Sequence, residues 1–421
     1  MTLSPSPFIA TERPGLFVAR LLAAVLFLLG PLIYAAPLSA AVQLPVATVI
    51  VGTLAWRQST FGWGRIGRSL VPWLPMFALM LASAGWALDG KAALVLAGRL
   101  ILVITLGIGF VHWCRTLEPA RLPRLLPALA CGLMLANALV LADIELGGPL
   151  SRVGHVARTN VDFVTFYGRG ATVHAILLAP LGWGLWRAAA RRLAVAQAVL
   201  AAATILATHD LSAKVALAGA IGGGLLVLAL PRLRWTFLAL LAVVALGLPL
   251  AFPVQLDQAR ECWMFANKKS ALHRIYIWDF VTERIADKPI LGWGLDGARR
   301  MPGGQDTVAL GAGCPDVASP MIGEKLPLHP HNAILQTWLE LGAVGIVLSF
   351  GALIVTLGRI YAGRRRVAAS VLVAASVAGT LVALVSYGVW QEWFLSALML
   401  ASGIAALAIR QDELAPATRA D

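Results

Sequence analysis

The chain has 421 residues, 59% of them hydrophobic and 13% charged, with a formal net charge of +13. That is too little polar surface to cover a soluble globule of this size, and the composition is that of a polytopic membrane protein. The positive charge does not indicate nucleic-acid binding, because the arginines are scattered among short loops and tails without an aromatic platform on which bases would stack.

At the amino end, Pro5, Pro7 and Glu12 precede the first apolar run, and no convincing small-residue cleavage site follows it. That run is expected to be retained rather than removed as a signal peptide. Apolar runs of about 18 to 25 residues, each able to cross ~30 Å of hydrocarbon as a helix, fall near residues 16–36, 39–56, 71–88, 92–113, 125–143 and 168–186. Others follow near 193–208, 213–230, 235–252, 332–358, 367–387 and 391–409. The expectation is an all-α, polytopic integral membrane protein with about twelve transmembrane helices.

With the amino terminus inside, the even-numbered connections hold Arg57, Arg65 and Arg68; Arg115, Arg121 and Arg124; Arg187, Arg191 and Arg192; Arg232 and Arg234; and Arg359, Arg364, Arg365 and Arg366. Every one is arginine-rich, as the positive-inside rule requires. With Arg13, Arg410 and Arg419 from the tails, that side carries 18 cations against five acids, a surplus equal to the net charge of the whole chain. Both termini are therefore expected inside.

Most of the opposite connections are very short, but residues 144–167 and about 253–331 are not. The chain thus divides into residues 1–252, with nine spans and a shorter external loop at 144–167; residues 253–331, a large external loop; and residues 332–421, with three spans and a tail. In the large loop, Leu272, Ile275, Trp278 or Asp279, and Thr282 or Ile285 recur at helical spacing, predicting an amphipathic helix over the membrane face that stops at Pro289. A glycine-rich loop follows. Cys262 and Cys314 share this loop, and an oxidising compartment would join them as a disulfide.

Titratable groups then meet an apolar helix at HPHNAILQTWLELGAVG, residues 329–345. His331 stands at the mouth of a helix beginning near Asn332, whose positive end disfavours an imidazolium. A neutral histidine there has two readings, a hydrogen-bonded loop residue or a general base. Gly342 and Gly345 project within about 40° of His331 on a regular helix; they either let helices pack closely or leave a groove for a lipid chain. Glu340 points to the opposite side and is expected to be paired within the bundle. Arg169, Arg274 and Lys214 lie at external ends of three segments, with Arg152 and Arg158 in the shorter loop. Singly such cations snorkel or pair; converging on one face, they suit an anionic headgroup. Asp143 and Glu145 form a D-x-E without an evident partner acid, and the chain has no HExxH, P-loop or G-x-S-x-G motif.

His331-Asn332, nine residues, Gly342, two residues and Gly345 resemble the H-N-x9-G-x-x-G pattern of bacterial O-antigen ligases, a superfamily shared with O-antigen polymerases and O-linked oligosaccharyltransferases. Ile346 stands where the family has threonine. Residues 274–294 (RIYIWDFVTERIADKPILGWG) are similar to the family's arginine, tryptophan and P-x-x-G-x-G signature, and YGRGA around Arg169 resembles its N-R-G helix start, with Gly168 replacing asparagine. The resemblance implies a GT-C-like glycosyltransferase of the bacterial inner membrane with a periplasmic site. It transfers O-antigen from undecaprenyl pyrophosphate to a sugar hydroxyl of the lipid A core, with inversion and without metal or other cofactor. His331 would be the general base, with Arg169 and Arg274 on the pyrophosphate; Lys214 is added on charge and depth. His329 and Asn332 are further substrate-binding candidates. An O-antigen polymerase or a protein O-oligosaccharyltransferase are alternatives. A transporter of the same lipid is the non-enzyme alternative, but charges within spans are few (Arg20, Arg99, Glu340), which favours the enzyme.

Overall fold

In hydrocarbon every backbone amide and carbonyl must be satisfied within the protein, so apolar runs of this length become helices. The computed structural model describes residues 14–117, 122–153, 163–252, 254, 256–315, 317 and 319–414. Its helices are α1 (Pro14–Ala35), α2 (Ala40–Arg57), α3 (Trp63–Leu70), α4 (Leu74–Ala82), α5 (Gly90–Thr116), α6 (Leu122–Glu145), α7 (Pro149–Val153) and α8 (Gly168–Arg187). They continue with α9 (Arg191–Ala207), α10 (Leu211–Ala229), α11 (Leu233–Gly247), α12 (Gln258–Asp287), α13 (Ala333–Tyr361), α14 (Arg366–Val385) and α15 (Glu392–Leu414). Two of the twelve predicted runs are pieced together, the run near 71–88 from α4 and short 3₁₀ turns and the run near 235–252 from α11 and a 3₁₀ turn at Leu248–Ala251; the others each lie on one helix to within a residue or two, that on α13 with a break at Gly342. Among the described residues, nine helical stretches are long and apolar enough to cross a membrane; α8 and α9 are not among them, and the described apolar part of α1 is the shorter Arg20–Ala35. The chain is an all-α, polytopic membrane protein.

One end of the bundle gathers the arginine-bearing connections on the last turn of α15. Arg187 pairs with Asp412 at 2.7 Å, Arg364 and Arg115 reach Glu413 at 2.8 and 3.5 Å, and Arg234 donates to the Arg364 carbonyl. The 20 residues of α8 carry the chain about 30 Å from there. At that far end the starts of α8, α10 and α13 meet the end of α14.

The long connection between α11 and α13 packs on this far end. Asp257 caps α12 through the Arg260 amide, and the helix breaks at Lys268 (φ −146°, ψ 50°). Its first part carries an antiparallel hairpin, β1 (Thr307–Leu310) with β2 (Met321–Glu324), held through Phe265, Leu272 and Leu310. The sequence reading did not foresee this hairpin. Cys262 and Cys314 are joined as a disulfide with Cα atoms 5.2 Å apart, which closes the hairpin onto α12. The second part of α12 buries Ile277, Phe280, Val281 and Ile285 against Leu335 and Leu339 of α13. The stretch after the break at Lys268 starts close to Leu272, as expected, with an earlier stretch from Gln258 ahead of it; one expectation is corrected, since its apolar face is covered by protein rather than lying on lipid. Ile275, placed on the buried stripe, is only half-buried.

The glycine-rich loop after Pro289 has a definite partner. At Gly342 α13 breaks (φ 62°, ψ −162°), so the amides of Ala343 and Val344 no longer reach the carbonyls of Leu339 and Glu340. Instead Trp293 and Gly294 donate to Leu339 O and Glu340 O at 2.9 and 2.8 Å, while Ala343 and Val344 donate to Pro289 O and Ile290 O at 2.9 and 3.2 Å. Residues 289–294 thus replace four groups' worth of helix hydrogen bonding. The break removes the groove reading of the glycines, since a Cβ on Gly342 would lie 2.3 Å from Ile290 O.

Candidate active site

The His-Pro-His-Asn loop is held from three sides. Trp278 Nε1 donates to Pro330 O at 2.8 Å, the His331 amide donates to His329 Nδ1 at 3.2 Å, and Asn332 Oδ1 accepts from the Ile334 and Leu335 amides at 3.0 Å each. Asn332 is therefore the cap of α13; it is buried, and its side-chain oxygen is occupied rather than open to a substrate. His331 itself has φ 57°, a left-handed backbone costing of order 1–3 kcal/mol for a residue with a side chain. This placement outside α13, together with the break at Gly342, overturns the regular-helix projection that set His331 and the glycines on one face.

The hydrogen bonds determine which nitrogen of each histidine is free. His331 Nδ1 lies 2.6 Å from Ser386 O, and a carbonyl only accepts, so Nδ1 carries the proton and Nε2 is bare. His329 is the converse: its Nδ1 accepts the His331 amide, which leaves Nε2 protonated. The two rings stand edge to face with centroids 4.3 Å apart. His331 is the half-buried one and His329 the buried one, so the pair divides into a base with an open lone pair and a loop anchor.

Both imidazoles are held below their usual titration range. Burial does most of this at His331, opposed by the Ser386 contact and reinforced by Arg274 and His273. Burial, then the His331, Arg299 and Arg274 charges, take His329 down to about 3. An unfolded histidine protonates near pH 6.5, so below that pH the unfolded chain binds protons that the folded loop refuses, and stability falls with pH until the folded value is reached. The thermal midpoint of the purified protein is expected to fall between about pH 6.5 and 4, and to fall less steeply in His329→Asn. Equal slopes for the two proteins would contradict the buried neutral assignment.

Around this loop the structure assembles residues that the sequence reading missed. Tyr387, next to Ser386, shares a hydrogen bond with Thr172 at 3.2 Å and packs its ring on Trp393. Burial and the neighbouring Asp210 push its hydroxyl up to about 12. Asp210 caps α10 through the Ser212 and Ala213 amides, and Ser212 Oγ accepts from Ser386 Oγ at 3.1 Å. Gly168, where the resemblance expects asparagine, lies against Asp210: a Cβ there would come within 2.6 Å of the carboxylate. In the sequence these residues sit in or next to very short external connections, which carry no site motif.

Arg274 and Arg169 join this cluster. Arg274 is half-buried, its charge acts on Asp210, Tyr387 and both loop histidines, and its buried Nε has no hydrogen-bond partner among the described residues. Arg169 is exposed at the start of α8, acts on Tyr387, and sets its guanidinium 5.9 Å from the Trp393 ring. Lys214 lies in the first turn of α10, its amide donating to Asp210 O at 3.4 Å. Arg152 sits outside the cluster, exposed on α7, and Arg158 lies outside the described residues. Asp143 is not half of an open D-x-E pair. Its oxygens accept from the Leu150 and Ser151 amides and the Tyr167 hydroxyl, while Glu145 is exposed.

Glu340 is fully buried and ties three segments together through neutral donors. Its oxygens accept from the Asp296 amide and Trp390 Nε1 at 2.7 and 2.8 Å and from Gln336 Nε2 and the Ala298 amide at 3.1 and 3.4 Å. Gln336 passes the link on, accepting from the Val389 amide at 2.9 Å. The connection 386–390 that carries Ser386 is thereby fastened to α13.

Residues 196–350, which include Arg274 and His331, match the family described as O-Antigen ligase. The chain is 32% identical over 205 residues to a protein of Rickettsia conorii named as a candidate polysaccharide ligase, covering 46% of this chain and 47% of that protein. It is 32% identical over 209 residues to one of the same description from Rickettsia felis, covering 46% and 47%. A third, from Rickettsia prowazekii, is 30% identical over 184 residues, covering 41% and 42%. The matches span about half the length of these curated relatives. Together with the motifs they make residues 196–350 of this chain similar to the O-antigen ligase family.

Proposed function

We propose that this protein transfers an O-antigen polysaccharide from undecaprenyl pyrophosphate to a sugar hydroxyl of the lipid A core, at the periplasmic face of a Gram-negative inner membrane. The observation that carries this reading is the tautomer of His331, whose bare Nε2 lies in one cluster with the unpartnered Nε of Arg274. His331 Nε2 takes the proton of the acceptor hydroxyl as its oxygen attacks the anomeric carbon. The anomeric bond to the pyrophosphate breaks with inversion, and the charge growing on the leaving pyrophosphate is met by Arg274 and Arg169. Lys214, Arg152 and Arg158 have no part in this proposal. Both the proton and the leaving charge are handled by side chains, so the mechanism uses no metal. The periplasmic assignment rests on the positive-inside rule, which makes the arginine-bearing end cytoplasmic and the histidine end external.

The test is expression of the wild-type chain in a ligase-null Gram-negative strain. Core-linked lipopolysaccharide ladders are expected, and in a purified assay transfer should survive a chelator. Longer chains in the lipid-linked pool without attachment to core would overturn the reading in favour of a polymerase, and transfer abolished by chelator and restored by a divalent ion would overturn the mechanism.

A further inference from the structure

A cavity of about 550 Å³ adjoins the histidine loop, within the roughly 300–1,000 Å³ range of small-ligand pockets. Its lining includes His329, Gln336 and Gly388 but none of His331, Arg169, Arg274 or Tyr387. It therefore lies beside the cluster proposed for the pyrophosphate, and they adjoin at His329, whose ring centroid is 4.3 Å from that of His331.

The remaining walls carry balanced charge. Arg99 of α5 reaches Glu392 of α15 at 3.5 Å, Arg299 reaches Asp296 at 2.9 Å, and Lys91 follows Asp89 at the start of α5. A surface of this kind alternates strong donors with carboxylate acceptors and has no net charge, which suits hydroxyl groups that both donate and accept better than it suits a polyanion. Val95, between Lys91 and Arg99 on the same wall, is 48% exposed on a helix apolar enough to span the membrane. The cavity thus borders an exposed, apolar part of α5.

We infer that this cavity holds the hydroxyl-rich sugar of a lipid-borne acceptor, with Arg99, Glu392, Arg299 and Gln336 as its hydrogen-bonding groups. The inference rests on the transfer reading above and assigns that reaction's second substrate a site separate from the pyrophosphate. The bound sugar would present one hydroxyl alongside His329; its proton goes to His331 Nε2 and its oxygen bonds the anomeric carbon as the bond from that carbon to the pyrophosphate breaks and the pyrophosphate leaves.

The test uses the purified full chain in phospholipid vesicles, with rough lipopolysaccharide as acceptor and an undecaprenyl-pyrophosphate-linked glycan as donor. Arg99→Gln and Glu392→Gln each remove hydrogen bonds, whereas Val95→Trp fills the cavity from an exposed position. Each is expected to raise the half-saturating acceptor concentration about tenfold, the equivalent of one or two such bonds, while the half-saturating donor concentration stays within about twofold. Unchanged acceptor saturation in all three, or a shift in donor saturation instead, would overturn the assignment. Equilibrium binding of rough lipopolysaccharide to His331→Asn, with and without Val95→Trp, needs no turnover and separates the two failures. Binding weakened by the tryptophan with no transfer by the wild type would retain the site and reject the reaction; binding indifferent to the tryptophan would reject the site.

Discussion

Replacing His331 with asparagine is expected to slow glycan transfer by about 10²–10⁴-fold, the range over which a positioned general base acts. Asparagine is the informative replacement because His331 sits at φ 57°, and asparagine tolerates the left-handed region far better than alanine. Its amide can also donate toward Ser386 O, as His331 Nδ1 does at 2.6 Å. What it lacks is a basic lone pair in the place of Nε2. The loop should stay folded, with the Trp278 to Pro330 bond and the Asn332 cap intact, so the thermal midpoint should change little while single-turnover transfer collapses. His329→Asn makes the contrast: it disturbs an anchor and should cost stability first. Transfer by His331→Asn within about tenfold of wild type would remove His331 from the chemistry.

Gly342→Val is expected to leave little folded protein, with a loss of about 3–5 kcal/mol or more. The backbone at Gly342 (φ 62°, ψ −162°) lies in a region that is nearly glycine-only. A Cβ there would meet Ile290 O at 2.3 Å and Ile290 C at 2.4 Å, and these are backbone atoms that cannot rotate away. Moving residues 289–294 aside would strand the Leu339 and Glu340 carbonyls and the Ala343 and Val344 amides, each an unmade bond in a buried place. Gly351→Ala, on the same helix with nothing within 4 Å of its Cβ, should be neutral or slightly stabilising. The check is the yield and thermal midpoint of detergent-extracted protein; a Gly342→Val midpoint matching that of Gly351→Ala would show that the break in α13 is dispensable.

The helix-forming runs were legible because hydrocarbon enforces internal hydrogen bonding, which makes length and apolarity sufficient signals. His331, Arg274 and Arg169 were legible through motif resemblance and position at helix mouths, and Cys262 with Cys314 through a shared loop. Asn332, a substrate-binding candidate from the sequence, serves as the cap of α13, which its place just before an apolar helix also signals. Ser386, Tyr387 and Asp210 gave little warning, since each comes from a connection too short to read as a site.

By itself, the sequence determined a polytopic all-helical membrane protein, the gathering of arginine on alternate connections, and the His-Pro-His-Asn loop as the place to look for chemistry. Those follow from local composition and spacing, which act within a few turns of chain. Only the tertiary structure decided which histidine has a free nitrogen, because that depends on Ser386, 55 residues away. It alone showed why P-x-x-G-x-G and the glycines of α13 occur together, since the break at Gly342 and the loop that repairs it come from segments about fifty residues apart. It also placed an uncharged-on-balance cavity beside the loop, built from α5, α15 and the turn after residue 294. Hydrogen-bond partners that are distant in sequence are set by how helices pack, and periodicity along a chain carries no record of that.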